Sequence, residues 1–127
     1  MLKKTITYTD YNGLKRTEDF YFNLTESELA EMEVDVDGGM SNMLQQIVDA
    51  NDGRQIMKNF KTFIKKSYGE KSADGRKFMK NETLSEEFIM TAAYDVLFHE
   101  LVTDPEAGAK FVGGILPAGY ANGTANR

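Results

Sequence analysis

The chain has 127 residues, 41 % hydrophobic and 28 % charged, the ordinary balance of a globular domain large enough for one core. It contains no cysteine, which excludes disulfides, thiolate metal sites and a cysteine nucleophile. The net charge is −5, no apolar run approaches the roughly 20 residues of a membrane span, and the first residues lack the apolar core of a signal peptide, so a cytoplasmic protein is expected.

From Leu2 to Thr9 the sequence alternates, with Leu2, Lys4, Ile6 and Tyr8 on one face and Lys3, Thr5, Thr7 and Thr9 on the other, which is a strand pattern. Asp10-Tyr11-Asn12-Gly13 predicts a hairpin turn, a three-residue loop with Gly13 in the left-handed region. The alternation resumes from Leu14 to Leu24. An odd loop length keeps the even-numbered apolar residues of both strands on one side, whereas a two-residue turn would put them on opposite faces. A lone hairpin is marginal in water, so Ile6, Phe20 and Phe22 are expected to face helices.

Thr25-Glu26-Ser27-Glu28 is a capping box and starts a short helix, which the Val34–Gly39 stretch breaks. Ser41 to Ala50 reads as a second short helix, with Met43, Leu44, Ile47 and Val48 at helical spacing. After Asn51-Asp52-Gly53 comes the clearest amphipathic helix. Its stripe is Ile56, Met57, Phe60, Phe63, Ile64 and Tyr68, with Lys58, Lys61, Lys65 and Lys66 outside it. Gly69 is expected to end this helix in the left-handed C′ position, and Ser72-Ala73-Asp74-Gly75 to form a turn.

Asn81 opens a helix with acids in its first turn, read as continuous to about Val102. Its apolar residues cover almost the whole circumference. Ile89, Ala92, Ala93 and Val96 fill one side, and Met90, Tyr94, Phe98 and Leu101 lie roughly opposite. Such a helix is either buried all round or turns one side to a partner. Asp104 caps a last helix with Pro105 in its first position and a seam of Phe111, Val112, Ile115 and Leu116. Gly108, Gly113 and Gly114 weaken it, each by roughly 1 kcal/mol against Ala. The expected fold is α+β and predominantly α-helical: an N-terminal β-hairpin on about four to five helices, with a short turn or hairpin around residues 70–78. Residues 1–117 would form a single globular domain, and residues 118–127, with little to bury, a flexible tail.

Charge is segregated along the chain. Residues 1–53 carry 4 basic and 11 acidic groups, residues 54–80 carry 9 and 2, and residues 81–127 carry 2 and 7. Such blocks can steer association between copies or with a partner. The basic block holds Lys66-Ser67-Tyr68-Gly69-Glu70-Lys71-Ser72-Ala73-Asp74-Gly75-Arg76-Lys77, which has the ingredients of a phosphate loop but not its spacing. Five residues separate Gly69 from Gly75, Arg76-Lys77-Phe78 follows, and a helix rather than a strand precedes it.

Other chemistry fails on its own terms. The single histidine, His99, has no cysteine and no second histidine to partner it, so no zinc site is read. A calcium loop starting at Asp35 would need Gly at Met40 and Glu at Gln46. Glu86-Glu87 and Glu31/Glu33 splay apart on a helix. Phe60 and Phe63 lie opposite the lysines of their helix and read as core, not as a nucleic-acid platform. No catalytic residue, metal site or cofactor site emerges, and no enzyme is expected.

The string from Phe60, Phe63 and Ile64 through Ser67-Tyr68-Gly69-Glu70-Lys71-Ser72 and Asp74-Gly75-Arg76-Lys77-Phe78 resembles small tail assembly chaperones of long-tailed, siphovirus-type bacteriophages. So do Phe88 through Ala93-Tyr94, Leu97-Phe98, Glu100-Leu101, Thr103-Asp104, and Ala107 through Phe111 to Gly114-Ile115-Leu116-Pro117. The resemblance implies a protein that coats the long, helical, apolar tape measure protein until the tail tube polymerises. It also implies action in the host cell cytoplasm, absence from the mature virion, and a longer form made by ribosomal frameshifting. On that reading Met90, Tyr94, Phe98 and Leu101 would bind the client, while Lys71, Arg76 and Lys77 would dock an acidic neighbour in self-association. Surplus apolar surface and adaptable methionines suit such a client. The alternatives are a minor structural protein of the virion, or an acidic regulator related to nucleic-acid binding. No membrane or nucleic-acid partner is expected.

Overall fold

In a computed structural model, residues 1–35 and 53–117 are described. The helix expected over 41–50, the acidic glycine stretch after Asp35 and the tail 118–127 lie outside them.

The N-terminal alternation forms strands β1 (Leu2–Thr9) and β2 (Lys15–Phe22), antiparallel and in unbroken register from Leu2↔Phe22 to Thr9↔Lys15. The connecting loop is the expected one. Asp10 N–H donates to the Leu14 carbonyl at 2.8 Å, Gly13 N–H to the Asp10 carbonyl at 2.9 Å, and Gly13 has φ +83°. The Asp10 carboxylate accepts from the Asn12 and Leu14 amides, both at 2.9 Å, and from Arg16 Nε at 2.6 Å. With this odd loop, Ile6, Phe20 and Phe22 all turn towards the helices, and Ile6 and Phe22 are buried. The other face is polar, with Thr5 Oγ1 donating to Asp19 at 2.6 Å and Thr7 paired to Thr17 at 3.0 Å.

Helix α1 (Glu26–Asp35) starts at the capping box. Glu28 N–H donates to Thr25 Oγ1 at 3.1 Å, and the Glu28 carboxylate accepts from Thr25 N–H at 2.9 Å. Helix α2 (Gly53–Ser67) buries Phe60, Phe63 and Ile64 and exposes Lys58, Lys61 and Lys66. Its end corrects one expectation. Tyr68 and Gly69 belong to strand β3 (Tyr68–Lys71), which pairs with β2 through Tyr21↔Gly69 and Phe22↔Tyr68. Gly69 is no left-handed cap; positive φ among the described glycines occurs at Gly13 and Gly75. The helix ends because Ser67 Oγ donates back to the Phe63 carbonyl at 2.6 Å and the next residues are taken up by the sheet. Glycine is needed at 69 for space: a Cβ there would lie 2.7 Å from the Met79 carbonyl oxygen and 2.8 Å from the Phe78 ring.

Strand β4 (Phe78–Met79) completes an antiparallel sheet in the order β1-β2-β3-β4. Lys80, just beyond it, ties three segments together. Its ammonium donates to the Asn23 carbonyl at 2.7 Å and the Lys66 carbonyl at 3.0 Å, and pairs with Glu28 at 2.6 Å.

The long helix expected from Asn81 to Val102 is two helices, α3 (Glu82–Ile89) and α4 (Ala92–Thr103). Thr91 separates them. Its hydroxyl donates to the Phe88 carbonyl at 2.7 Å and accepts from Tyr94 N–H at 3.2 Å, so it finishes one helix and caps the next. Asn81 caps α3, and Asp104 caps α5 (Pro105–Ile115) with Pro105 at its start. Ser85 and Glu86 of α3 hold α2, through the Lys65 carbonyl at 2.7 Å and the Lys65 ammonium at 2.7 Å. Glycines of α5 are contact points: a Cβ at Gly108 would meet the Phe60 ring at 2.7 Å, and one at Gly114 would meet Leu2 Cδ1 at 2.9 Å. The Leu24 amide donates to the Ile115 carbonyl at 2.8 Å, joining the end of the hairpin to the end of α5.

The core is built around Phe22, whose ring meets Tyr68, Phe88 and Phe111 with centroids 5.8, 5.7 and 5.3 Å away. Tyr68 and Phe88 stack at 4.3 Å. The fold is α+β and mainly helical, with five helices among the described residues. None of them is long and apolar enough to cross a membrane.

Candidate partner-binding surfaces

The break at Thr91 rearranges the apolar residues that one continuous helix would have displayed all round. On α4 the buried ridge is Ala93, Leu97 and Leu101. Leu101 is 2 % exposed and part of the core, whereas Val96, expected on the packed side, is 43 % exposed. Tyr94 and Phe98 flank the ridge and are half-buried; their rings stack at 5.5 Å, and Tyr94 meets Phe88 edge-on at 6.0 Å. Burial raises the Tyr94 phenol above its usual pKa. Met90, at the C-cap of α3, is 66 % exposed. Of the four residues singled out from sequence, the fold therefore exposes Met90, half-covers Tyr94 and Phe98, and uses Leu101 for packing.

The basic turn is a well-defined hairpin between β3 and β4. Ser72 N–H donates to the Lys77 carbonyl at 2.8 Å, and Gly75 has φ +76°. The Asp74 carboxylate accepts from Arg76 N–H at 3.0 Å and Ser72 Oγ at 2.7 Å, which holds its pKa below the usual range, the Arg76 amide contributing most. The turn's backbone thus consumes its acid. Arg76 and Lys77 are exposed, and neither forms an ion pair among the described residues. Lys71, also exposed, places its ammonium 4.3 Å from the centre of the Tyr21 ring.

His99 is exposed on α4. Among the described residues, no group of three or more His, Asp or Glu side chains is arranged to hold a metal ion. Two exposed features stand out: Met90 at the end of α3, and the cationic hairpin.

The model of the family described as phage tail assembly chaperone matches residues 1–126, so the chain belongs to that family. Comparison with curated proteins and with solved structures gives no match. A chaperone family is generally non-enzymatic, and a tail assembly chaperone acts on a protein partner in the host cell.

Proposed function

We propose that this protein binds and solubilises the tape measure protein during tail morphogenesis in the host cytoplasm and leaves before the virion is complete. The observation that carries this reading is the family match over nearly the whole chain. Met90, together with the half-buried Tyr94 and Phe98, is the proposed contact for an apolar helical client. A flexible, exposed thioether can adapt to a client whose sequence varies along its length. The decisive experiment is co-expression: the tape measure protein should become soluble with the wild-type chain. It should remain in the pellet with Met90→Asp, provided that variant melts like the wild type. Solubilisation unimpaired by Met90→Asp would remove this contact, and no solubilisation by the wild type would remove the client.

Self-association through Lys71, Arg76 and Lys77 is the second element of the proposal. Among the described residues these cations have no ion-pair partner, so an acidic region of a neighbouring copy would complement them.

A further inference from the structure

Strand β1 is an edge of the sheet, and among the described residues nothing pairs with its outer side. The bond from Asp10 N–H to the Leu14 carbonyl fixes the phase of the ladder. Counting back in twos, Leu2, Lys4, Ile6 and Tyr8 exchange hydrogen bonds with β2, and Lys3, Thr5, Thr7 and Thr9 point their N–H and C=O groups outward. Exposed edges are usually blunted by charged side chains, by proline, by bulges or by shortness, and here the only charges, Lys3 and Lys4, sit together at one end of the strand. This one is 8 residues long, has no proline, and keeps its register with β2 throughout. Three of the four outward-facing residues are β-branched threonines, which favour an extended ladder.

We propose that β1 is an interface for a second copy of this chain, paired antiparallel about a two-fold axis beside Ile6. An antiparallel register that uses all four outward-facing residues sets Lys3 opposite Thr9 of the other copy and Thr5 opposite Thr7. It maps onto itself under a two-fold rotation, as an isologous interface must. Charge selects the direction. A parallel pairing would set Lys3 and Lys4 against the same lysines. The antiparallel one separates the lysine pairs to opposite ends and brings each to the Asp10 end of its neighbour. A groove of about 500 Å³ lies at the start of β1, lined by Leu2, Lys3 and two ion pairs, Lys4–Glu100 at 2.9 Å and Lys110–Glu106 at 3.9 Å. In this register it adjoins the Tyr8–Asp10 end of the other copy and sets Lys3, which forms no ion pair among the described residues, towards that copy's Asp10. This contact is separate from the one proposed at the basic turn and rests on main-chain hydrogen bonds, so high salt should not dissolve it.

The chain has no cysteine, so introduced thiols report the register directly. Directly opposed residues lie about 5.5 Å apart at Cα, within disulfide reach, and diagonal neighbours about 7–8 Å apart, beyond it. An equimolar mixture of Thr5→Cys and Thr7→Cys chains should therefore cross-link under mild oxidation far more than either variant alone. Thr7→Pro removes an outward N–H and leaves the β1–β2 ladder intact, so it should shift sedimentation from dimer to monomer in high salt with the melting curve retained. A wild type that is monomeric in high salt at every concentration would overturn the proposal. So would equal cross-linking in the mixture and the single variants, or thiols that capture a co-expressed client instead of a second copy. An oligomer abolished by Arg76→Glu with Lys77→Glu but untouched by Thr7→Pro would leave the basic-turn contact and reject the strand edge.

Discussion

Leu101 and Met90 were equivalent as apolar letters and are opposites in the fold, at 2 % and 66 % exposure. Leu101→Asp should collapse the melting temperature, since an unpaired carboxylate would be forced into the core beside Leu97 and Ala93. Even Leu101→Ala should cost about 2–5 kcal/mol in a denaturant titration. Met90→Asp should leave the melting curve unchanged. At Gly69 the constraint is volume: Gly69→Ala would push a methyl into the Met79 carbonyl and should destabilise by about 1–3 kcal/mol. Gly75→Ala meets open space and is limited by φ +76° alone, at roughly 1–2 kcal/mol. Asp10 gives a pH dependence. Its carboxyl is held below the ordinary value first by the Arg16 guanidinium, then by the Leu14 amide. A depressed folded value means that its contribution is present above the unfolded value, about 3.9, and is lost as pH falls through the folded one. Amide exchange at Asn12 and Leu14 should therefore stay slow at neutral pH and accelerate in acid below that point, beyond the ordinary pH trend of exposed amides; no such acceleration would detach Asp10 from the turn.

At the scale of elements, Thr91 has the largest consequence. It turns one helix into two and decides which residues face inward. Thr91→Ala removes the α4 cap and the bond to Phe88, and should cost about 1 kcal/mol, read from urea midpoints. An unchanged midpoint would mean that the two helices do not depend on this hydroxyl. The hairpin, its odd loop, the capping box of α1 and the caps of α3 and α5 were legible in the sequence. Each of them is a local pattern in which the residue that starts or turns an element makes the bond itself. The Thr91 break was not, because Ile89, Met90, Ala92 and Ala93 continue the apolar run across it and helical periodicity cannot register a change of direction. Gly69 misled for a related reason. A glycine after an amphipathic stripe has the chemistry of a C-cap, and the competing strand is supplied by Tyr21 and Phe22, far away in sequence. Of the surfaces, the charge of the basic hairpin could be read directly, whereas the exposure of Met90 and the burial of Leu101 depended on the unread break.

At the scale of the whole molecule, the ion pairs among the described residues neutralise the charge blocks only in part. Lys65–Glu86 and Lys80–Glu28 join the basic segment to acidic neighbours, while the tip of the basic hairpin keeps its cations. Exposed pairs such as Lys65–Glu86 contribute little, so Glu86→Gln should barely change stability. Arg76→Glu with Lys77→Glu should weaken association at low ionic strength and have little effect at high, because exposed charges about 10 Å apart are screened at 0.1 M salt. Light scattering across a salt series reads both limits, and low-salt oligomers indifferent to the reversal would exclude the hairpin from self-association.

The single bond from the Leu24 amide to the Ile115 carbonyl has a meaning in time as well as in space. On the ribosome the hairpin emerges first, but the floor beneath its apolar face is supplied by α4 and α5, near the other end of the described chain. Phe22 cannot meet Phe111, nor Leu2 the gap at Gly114, until those residues have left the exit tunnel. Until then the aromatic face of the strand is covered only in part, by Tyr68 and Phe88, while apolar surface is most prone to misassembly. The protein proposed above to shield another's apolar surface is itself, while being made, in need of the same protection. Arrest of translation before Phe111 should leave the hairpin protease-sensitive, and release past Leu116 should protect it in one step.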